Sequence, residues 1–161
     1  RTVLAYVREA LGASFPVRAV PGPCAAAAAL SVAGLPTDRY LFAGFLHTKR
    51  GGKRRHGGEG KRRRELQQLL YQAGAADSPA TLVLYESPHR ILSLLKLLAE
   101  ALDEEGSAAE RHVVVCSELT KVHEAVLAGP ARQVLETMTK DPASQRGEFV
   151  VLVNGGGGPA E

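Results

Sequence analysis

Hydrophobic residues recur along this chain with two periods, which predict an alternation of helices and strands. Apolar positions three and four residues apart, such as Leu66, Leu69 and Leu70, mark one face of a helix. Such spacing predicts helices over residues 1–12, 61–73, 88–102 and 132–139, and a run of alanines adds one over residues 24–30. Short apolar runs predict strands over residues 17–20, 40–46, 81–86, 112–117, 124–127 and 148–153. The expected fold class is α/β, with a mixed sheet flanked by helices.

Two segments lack any hydrophobic period. Residues 47–60 are basic and glycine-rich, and we predict a mobile loop there. The glycines at 155–158 predict a disordered tail over residues 155–161. Ser87 and Pro88, by contrast, are residue types that favour a helix N-cap and first turn, so the helix after them is expected to start at once.

The strand at 81–86, the helix at 88–102 and the strand at 112–117 form a predicted βαβ unit. Its crossover is expected to be right-handed and its strands parallel. Parallel strands end at the same edge of a sheet, so Glu86 and Glu118 should lie at one edge. Open α/β sheets bind ligands at the carboxyl edge of their strands, and a site is therefore predicted there.

The positive charge of the chain is concentrated in one segment. Residues 49–64 hold nine of the 20 basic residues and one acid, whereas the remaining 145 residues carry a net charge of −5. The bases are Lys49, Arg50, Lys53, Arg54, Arg55, Lys61, Arg62, Arg63 and Arg64. A cationic run tethered to a mildly acidic body indicates a polyanionic partner such as nucleic acid, with an ordinary solvated loop as the alternative.

Amino-acid composition limits the classes of protein to which this chain can belong. The chain has 161 residues, 45% of them hydrophobic, and no Trp, so it predicts a folded domain with an aliphatic core. Residues 3–11 are too polar and too few for a signal peptide, and residues 21–36 are too few to span a bilayer. Cys24 and Cys116 lack a metal-ligand spacing and are expected to be reduced thiols. Because no His-x-His or His-x-x-x-His pair occurs, no metal is predicted.

Three further stretches carry candidate chemistry. Residues 21–25 place a tight turn before small residues, which lets a ligand approach backbone N–H groups, although a plain helix entry has the same pattern. Residues 85–90 and 118–124 each follow a predicted strand and are dense in polar groups. Capping or an ordinary charged loop is the alternative for both. The candidates for a catalytic acid, base or cation are Glu86, His89, Glu118 and Lys121, and the residues alone do not choose among them.

These stretches together resemble one family. The order Val-Pro-Gly-Pro-Cys-Ala, Leu-Pro-Thr-Asp-Arg-Tyr, Phe-Ala-Gly-Phe-Leu, Lys-Arg-Arg-Arg-Glu-Leu, Tyr-Glu-Ser-Pro-His-Arg, Glu-Leu-Thr-Lys-Val-His-Glu and Gly-Glu-Phe-Val-Val-Leu-Val is similar to the ribosomal RNA small-subunit methyltransferases I. Those enzymes lie in the tetrapyrrole methylase-like superfamily. The resemblance extends from about residue 3 to residue 154. The combination of the Tyr-Glu-Ser-Pro-His-Arg and Glu-Leu-Thr-Lys-Val-His-Glu motifs is highly specific, whereas Pro-Gly-Pro alone is not.

The resemblance implies an S-adenosylmethionine-dependent methyltransferase that modifies the ribose 2′-oxygen of a cytidine in 16S rRNA. The partner would be 16S rRNA or the small ribosomal subunit, without a membrane, and a homodimer is compatible with the family. The location would be the cytoplasm, or an organelle in a eukaryote. Cofactor contacts would come from Cys24, Ala25, Glu86 and Gly129, and RNA contacts from the basic run together with Arg90. The chain departs from the family at Cys24, where Ser is usual, at His47, where Pro is usual, and in its longer basic run.

Members of this family carry an amino-terminal domain with Ala-Thr-Pro-Ile-Gly-Asn-Leu and Asp-Ala-Gly-Thr-Pro stretches, and neither stretch occurs in these 161 residues. The resemblance therefore implies that residues 1–34 are the remnant of an N-terminal domain and that residues 35–154 are the C-terminal α/β domain of a two-domain fold. By itself the chain would lack much of the cofactor site. Two rival functions remain: methylation of a tetrapyrrole, and an inactive fragment that binds RNA.

Overall fold

The computed structural model describes residues 2–12, 14–46, 58–75, 77–106 and 111–156. Five helices and five strands lie in these ranges, with one 3₁₀ turn at Pro142–Gln145. The helices are α1 Val3–Leu11, α2 Ala25–Val32, α3 Gly58–Ala73, α4 Ile91–Glu104 and α5 Ala131–Lys140. The strands are β1 Tyr40–Phe45, β2 Thr81–Glu86, β3 Val113–Ser117, β4 Ala125–Gly129 and β5 Phe149–Val153. The predicted α/β class with a mixed sheet flanked by helices is confirmed.

The strands form one sheet in the order β1-β2-β5-β3-β4. β1 and β2 are parallel, whereas β5 is antiparallel to both of its neighbours, and β4 is antiparallel to β3. The predicted βαβ unit therefore has β5 between its two strands, so that β2 and β3 are not hydrogen-bonded neighbours. The two strands nevertheless point the same way, since each runs opposite to β5. Their carboxyl ends consequently meet the same edge of the sheet.

The two faces of the sheet are covered unequally. On one face, α3, α4 and α5 pack over alternate strand residues such as Leu82, Leu84 and Val151, which are fully buried. On the other face, α2 packs over Val83, Leu152 and their neighbours. Alternation of side chains along each strand produces this division. In the described part of the chain, α2 is the only helix on that second face, and aromatic side chains of β1 stay exposed beside it.

Three local predictions are wrong. Residues 17–20 form no strand in the described structure, and Val20 is 90% exposed. A strand needs a neighbouring strand for its backbone hydrogen bonds, and no neighbour is present there. Conversely, residues 58–60 were predicted as loop but belong to α3, while 47–57 lie outside the described residues. Gly155, predicted as tail, is buried against the backbone of Ala80; residues 157–161 are not described.

Helix α4 begins three residues later than Ser87-Pro88 predicts. Its N-cap is Arg90, and residues 87–90 form a turn closed by a hydrogen bond from Arg90 N–H to the Ser87 carbonyl at 3.0 Å. The Arg90 guanidinium also donates to Ser87 Oγ at 3.1 Å and pairs with Glu86. The side-chain contacts of Arg90 therefore hold the segment as a separate turn at the end of β2.

Candidate functional site

A cleft of about 420 Å³ lies at the sheet edge where β2 and β3 end. Glu86 and Ser87 line it from the end of β2, Glu118 and Lys121 from the turn after β3, and Glu148 from the start of β5. The prediction that Glu86 and Glu118 face one cleft is therefore confirmed. Of the four candidate catalytic residues, only His89 is absent from this lining; it is exposed on the turn before α4.

Both carboxylate oxygens of Glu86 are occupied. Oε1 accepts from the Ser87 backbone N–H at 2.8 Å and pairs with Arg90 Nε at 2.9 Å. Oε2 accepts from the guanidinium of Arg62, which reaches it from α3. The Glu86 side chain is only 2% exposed. A carboxylate held by two guanidinium groups and a backbone donor is a structural anchor, and these contacts compete with any use of it as a general base.

The described bases of the cationic run divide into two sets. Arg62 was predicted to bind RNA, but its side chain is 10% exposed and points into the protein towards Glu86. Arg63 pairs with Glu104 of α4 at the surface. Lys61 and Arg64 are exposed. The predicted RNA contacts at Lys49, Arg50, Lys53, Arg54 and Arg55 lie outside the described residues. Arg62 is therefore reassigned from RNA contact to the support of the cleft, whereas Arg90, which also pairs with Glu86 but is 30% exposed, stays a predicted RNA contact.

Glu118 stands in a strained turn at the opposite wall. Glu118 and Thr120 adopt left-handed backbone conformations, with φ of 48° and 66°. Such conformations are costly for residues other than glycine and occur often at functional sites. Glu118 Oε1 accepts from Lys121 Nζ at 3.1 Å and from the Glu148 backbone N–H at 2.8 Å. Gly147 permits this approach, because a Cβ there would overlap the Glu118 side chain.

These hydrogen bonds shift the pKa values of Glu118 and Lys121 so that both side chains stay charged at neutral pH. The Glu148 backbone N–H, followed by Lys121, lowers the pKa of the Glu118 carboxyl below its usual value. Glu118 and Glu148 raise the pKa of the Lys121 ammonium group, which sits 3.1 Å from the Glu148 carboxylate as well. At neutral pH, Glu118 is therefore a weak base and Lys121 is a cation.

We expect Glu118→Gln to lower the melting temperature at neutral pH and to lose this effect in acid. A carboxyl whose folded pKa is lowered stabilises the protein above its unfolded pKa of about 4.3, and that contribution disappears as pH falls through the folded pKa. Thermal unfolding between pH 7 and pH 3 measures the difference. Glu136→Gln on α5 is the control, since Glu136 meets Lys140 at 4.0 Å on the surface. A pH-independent gap for Glu118→Gln would contradict the expectation.

The third wall comes from the start of α2. Ala25 lines the cleft, and Cys24 beside it is an exposed thiol at the N-cap. Although the thiol makes no regular capping hydrogen bond, the nearby N–H groups of Ala27 and Ala26 lower its pKa. The Tyr85 hydroxyl of β2 accepts from the Ala26 N–H at 3.2 Å and so joins α2 to the sheet. Of the two residues predicted from the Pro-Gly-Pro-Cys-Ala stretch, Ala25 therefore lines the cleft, whereas Cys24 precedes it and is not part of the lining.

Gly129, by contrast, does not belong to this cleft. It pairs with Val113, at the beginning of β3, while Ser117 at the end of β3 pairs with Ala125. Because β4 runs antiparallel to β3, Gly129 lies at the opposite edge of the sheet from Glu118. The prediction that Gly129 and Glu86 line one adenosine pocket fails for this reason within the described structure.

Two residues that line the cleft were not predicted from the sequence. Glu148, which touches Lys121 and Glu118, was assigned to a strand, and its role depends on β5 lying beside β3. Phe45 also lines the cleft, from β1. Among the described residues, no three His, Cys, Asp or Glu side chains are grouped to hold a metal ion. Nor does any helix within the described ranges have the length and apolarity needed to cross a membrane.

A family model and similar proteins of known name both match this chain. The family model of the Tetrapyrrole (Corrin/Porphyrin) Methylases matches residues 2–135. A protein of Pseudomonas aeruginosa named ribosomal RNA small subunit methyltransferase I is 41% identical over 149 residues, covering 92% of this chain and 46% of the relative. The protein of the same name from Escherichia coli O157:H7 is 37% identical, with 92% and 45% covered. The chain thus spans about half the length of the curated relatives it matches.

Solved structures agree on the fold. A crystal structure of the methyltransferase CobJ superposes with a TM-score of 0.58 at 22% identity, covering 98% of this chain and 57% of that one. An X-ray structure of the cobalt precorrin-4 methyltransferase CbiF gives a TM-score of 0.51 at 13% identity, covering 93% and 59%. At these identities the likeness concerns the arrangement of helices and strands.

Proposed function

We infer a function from the premise that this chain belongs to the tetrapyrrole (corrin/porphyrin) methylase family. Methyltransferases of this family use S-adenosylmethionine. We propose that the chain is part of an enzyme that transfers a methyl group from this cofactor to small-subunit ribosomal RNA, at the ribose 2′-oxygen of a cytidine. The cleft between the ends of β2 and β3 carries the proposal, because it gathers both specific motifs of the chain at one sheet edge.

The residues of the cleft fit the cofactor in size and chemistry. A volume of about 420 Å³ falls in the usual range of small-molecule sites. Leu119 and Val150 offer apolar surface for an adenosine, and the small side chain of Ala25 allows close approach to the start of α2. The carboxylate of Glu118 complements a sulfonium charge. When bound, S-adenosylmethionine supplies an electrophilic methyl group.

The protein must then orient a ribose hydroxyl and assist its ionisation. A hydroxyl is a poor nucleophile unless a base or a cation helps. Glu86 is held by Arg62 and Arg90, and Glu118 is a weakened base. Lys121 remains protonated and stands on the cleft wall. We therefore assign Lys121 the role of stabilising the hydroxyl oxygen as its proton passes to solvent water, with Glu118 orienting Lys121.

Two alternatives remain to be separated from this proposal. Methylation of a tetrapyrrole is the reaction that the family name describes. The names of the relatives and the nine bases in residues 49–64 favour RNA over that alternative. The second alternative is a fragment that binds RNA without cofactor. We propose residues 1–34 as the remnant of an N-terminal domain and 35–154 as the C-terminal domain, so that cofactor contacts beyond this cleft are required.

A chimeric enzyme tests the reaction. This chain replaces the matching stretch of the Pseudomonas aeruginosa relative, and label from methyl-tritiated S-adenosylmethionine is followed into small-subunit rRNA and then into nucleosides. We expect label in 2′-O-methylcytidine and a loss of turnover of about a hundredfold on Lys121→Met, partly restored by Lys121→Arg. Label on a base, or transfer to uroporphyrinogen instead of RNA, would contradict the proposal.

The 161-residue chain alone is expected to bind S-adenosylmethionine weakly or not at all. Neither the Ala-Thr-Pro-Ile-Gly-Asn-Leu nor the Asp-Ala-Gly-Thr-Pro stretch occurs in it, so glycine-rich turns that would surround the cofactor are missing from the sequence. Isothermal titration calorimetry of the chain, with the chimera as positive control, measures this affinity. Micromolar binding by the chain alone would show that the described cleft is sufficient.

A further inference from the structure

Strand β1 presents exposed aromatic side chains beside the cleft. Phe42 is 48% exposed and Phe45 is 58% exposed, although large apolar residues in strands are normally buried. Phe45 also lines the cleft, next to Tyr85. The chain has only eight aromatic residues, four Phe and four Tyr. Phe45 and Tyr85 line the cleft and Phe42 contacts Tyr85, so an exposed aromatic surface adjoins the cleft and suits a ligand with a flat apolar face.

A bulge in β1 brings the two phenylalanines to the same face. Side chains three residues apart in a regular strand point to opposite faces. Here the register with β2 shifts between Phe42 and Gly44, so that Phe42 pairs with Val83 and Phe45 with Tyr85. Gly44 has a φ of 65°, a conformation that favours glycine. Bulges commonly re-aim side chains next to functional sites.

Tyr85 packs against both phenylalanines and fixes their positions. The ring of Tyr85 meets Phe42 at a centroid distance of 5.0 Å and Phe45 at 5.7 Å, both edge to face. The hydroxyl of Tyr85 is in turn fixed by the Ala26 N–H of α2. Tyr85 thus positions Phe42 and Phe45, while about half of each phenylalanine remains exposed and accessible to a ligand.

We propose that Phe45 and Phe42 form a stacking platform for an unpaired nucleobase of the RNA substrate. Bases splayed out of single strands stack on aromatic side chains, and this contact tolerates any base because every base has a π face. The inference rests on the proposed RNA methylation and names how the target nucleotide is held over the cleft.

A single-tryptophan reporter tests the platform directly. The chain has no Trp, so Phe45→Trp introduces the only indole, and a stacked base quenches its fluorescence. The probe is a single-stranded RNA dodecamer containing cytidine; inorganic polyphosphate supplies charge without bases. We expect quenching by the RNA and none by polyphosphate. Tyr71→Trp on α3, at a side chain 81% exposed and outside the cleft lining, is the matched control and should not respond.

Affinity provides the second readout. Fluorescence anisotropy of labelled RNA should show a five- to hundredfold weaker complex for Phe45→Ala, about the value of one base stacked on an aromatic ring, and near-parental binding for Phe45→Tyr. Circular dichroism verifies that each variant is folded. Unchanged RNA affinity in Phe45→Ala together with an unquenched Phe45→Trp would overturn the platform while leaving RNA binding intact.

The remaining outcomes identify other occupants. Quenching of Phe45→Trp by S-adenosylmethionine alone would assign the ring to the cofactor adenine and overturn the inference. A Phe45→Ala variant that turns a dimer into a monomer in analytical ultracentrifugation would identify a self-association surface, with the same consequence. If the unsubstituted chain binds no RNA, the RNA part of the proposed function fails first, and the platform fails with it.

Discussion

Arg62→Ala is expected to destabilise the fold by about 3 kcal/mol, the largest stability loss anticipated for any cation in residues 49–64. The substitution leaves the Glu86 carboxylate, 2% exposed, with one guanidinium partner instead of two. Breaking a buried pair by removing one partner costs about 3–5 kcal/mol, and the surviving contact with Arg90 places this case at the lower end. Urea unfolding followed by circular dichroism measures the change.

Arg63→Ala supplies a matched control for that measurement. It removes the neighbouring arginine of the same helix, and that arginine also pairs with a glutamate, Glu104. Its side chain is 40% exposed, however, so solvent screens the pair and a much smaller loss than for Arg62→Ala is expected. Equal losses in the two variants would show that Glu86 does not depend on Arg62.

Helical periodicity already contained the signal that Arg62 is buried. Arg62 precedes Leu66 by four residues and Leu70 by eight, so it lies on the apolar stripe that was used to predict α3. Both leucines are fully buried in the structure. A cation on a buried stripe requires a buried partner, and an acid at the end of an adjacent strand is a natural one. The count of basic residues over 49–64 did not reveal the burial of Arg62, because it treated every base as solvent-exposed.

Other features of the site could be predicted only in part. Chain direction in a β-α-β sequence placed Glu86 and Glu118 at one edge, and this holds whichever strand lies between β2 and β3. The insertion of β5 between them depends on pairing over long sequence separations, which local patterns do not encode. For that reason the contacts of Glu148 were missed. Gly129 was implied by the family resemblance, and the antiparallel pairing of β4 with β3 places it at the other edge. The bulge that aims Phe45 likewise becomes visible only once β1 is paired with β2.

The cationic run at residues 49–64, apart from Arg62, is expected to provide most of the RNA affinity without sequence preference. Residues 49–64 contain nine bases and no Phe, Tyr or Trp, so the run is suited to binding phosphates rather than to stacking on bases. The change to make is the quadruple variant Lys53→Ser, Arg54→Ser, Arg55→Ser and Arg64→Ser. It retains Arg62, whose loss would disturb Glu86 and confuse stability with binding.

Each phosphate contact to a single strand contributes about 0.7 to the slope of log affinity against log salt. Losing four contacts should lower that slope by about 3 and weaken binding about a hundredfold at 0.15 M salt, for every RNA tried. The matched control removes equal charge from exposed sites elsewhere: Arg8→Ser, Arg18→Ser, Lys96→Ser and Lys140→Ser. Anisotropy titrations across salt concentrations compare the two variants. If both lower the slope equally, net charge rather than this run holds the RNA; if neither does, the run is a solvated segment and RNA is bound elsewhere.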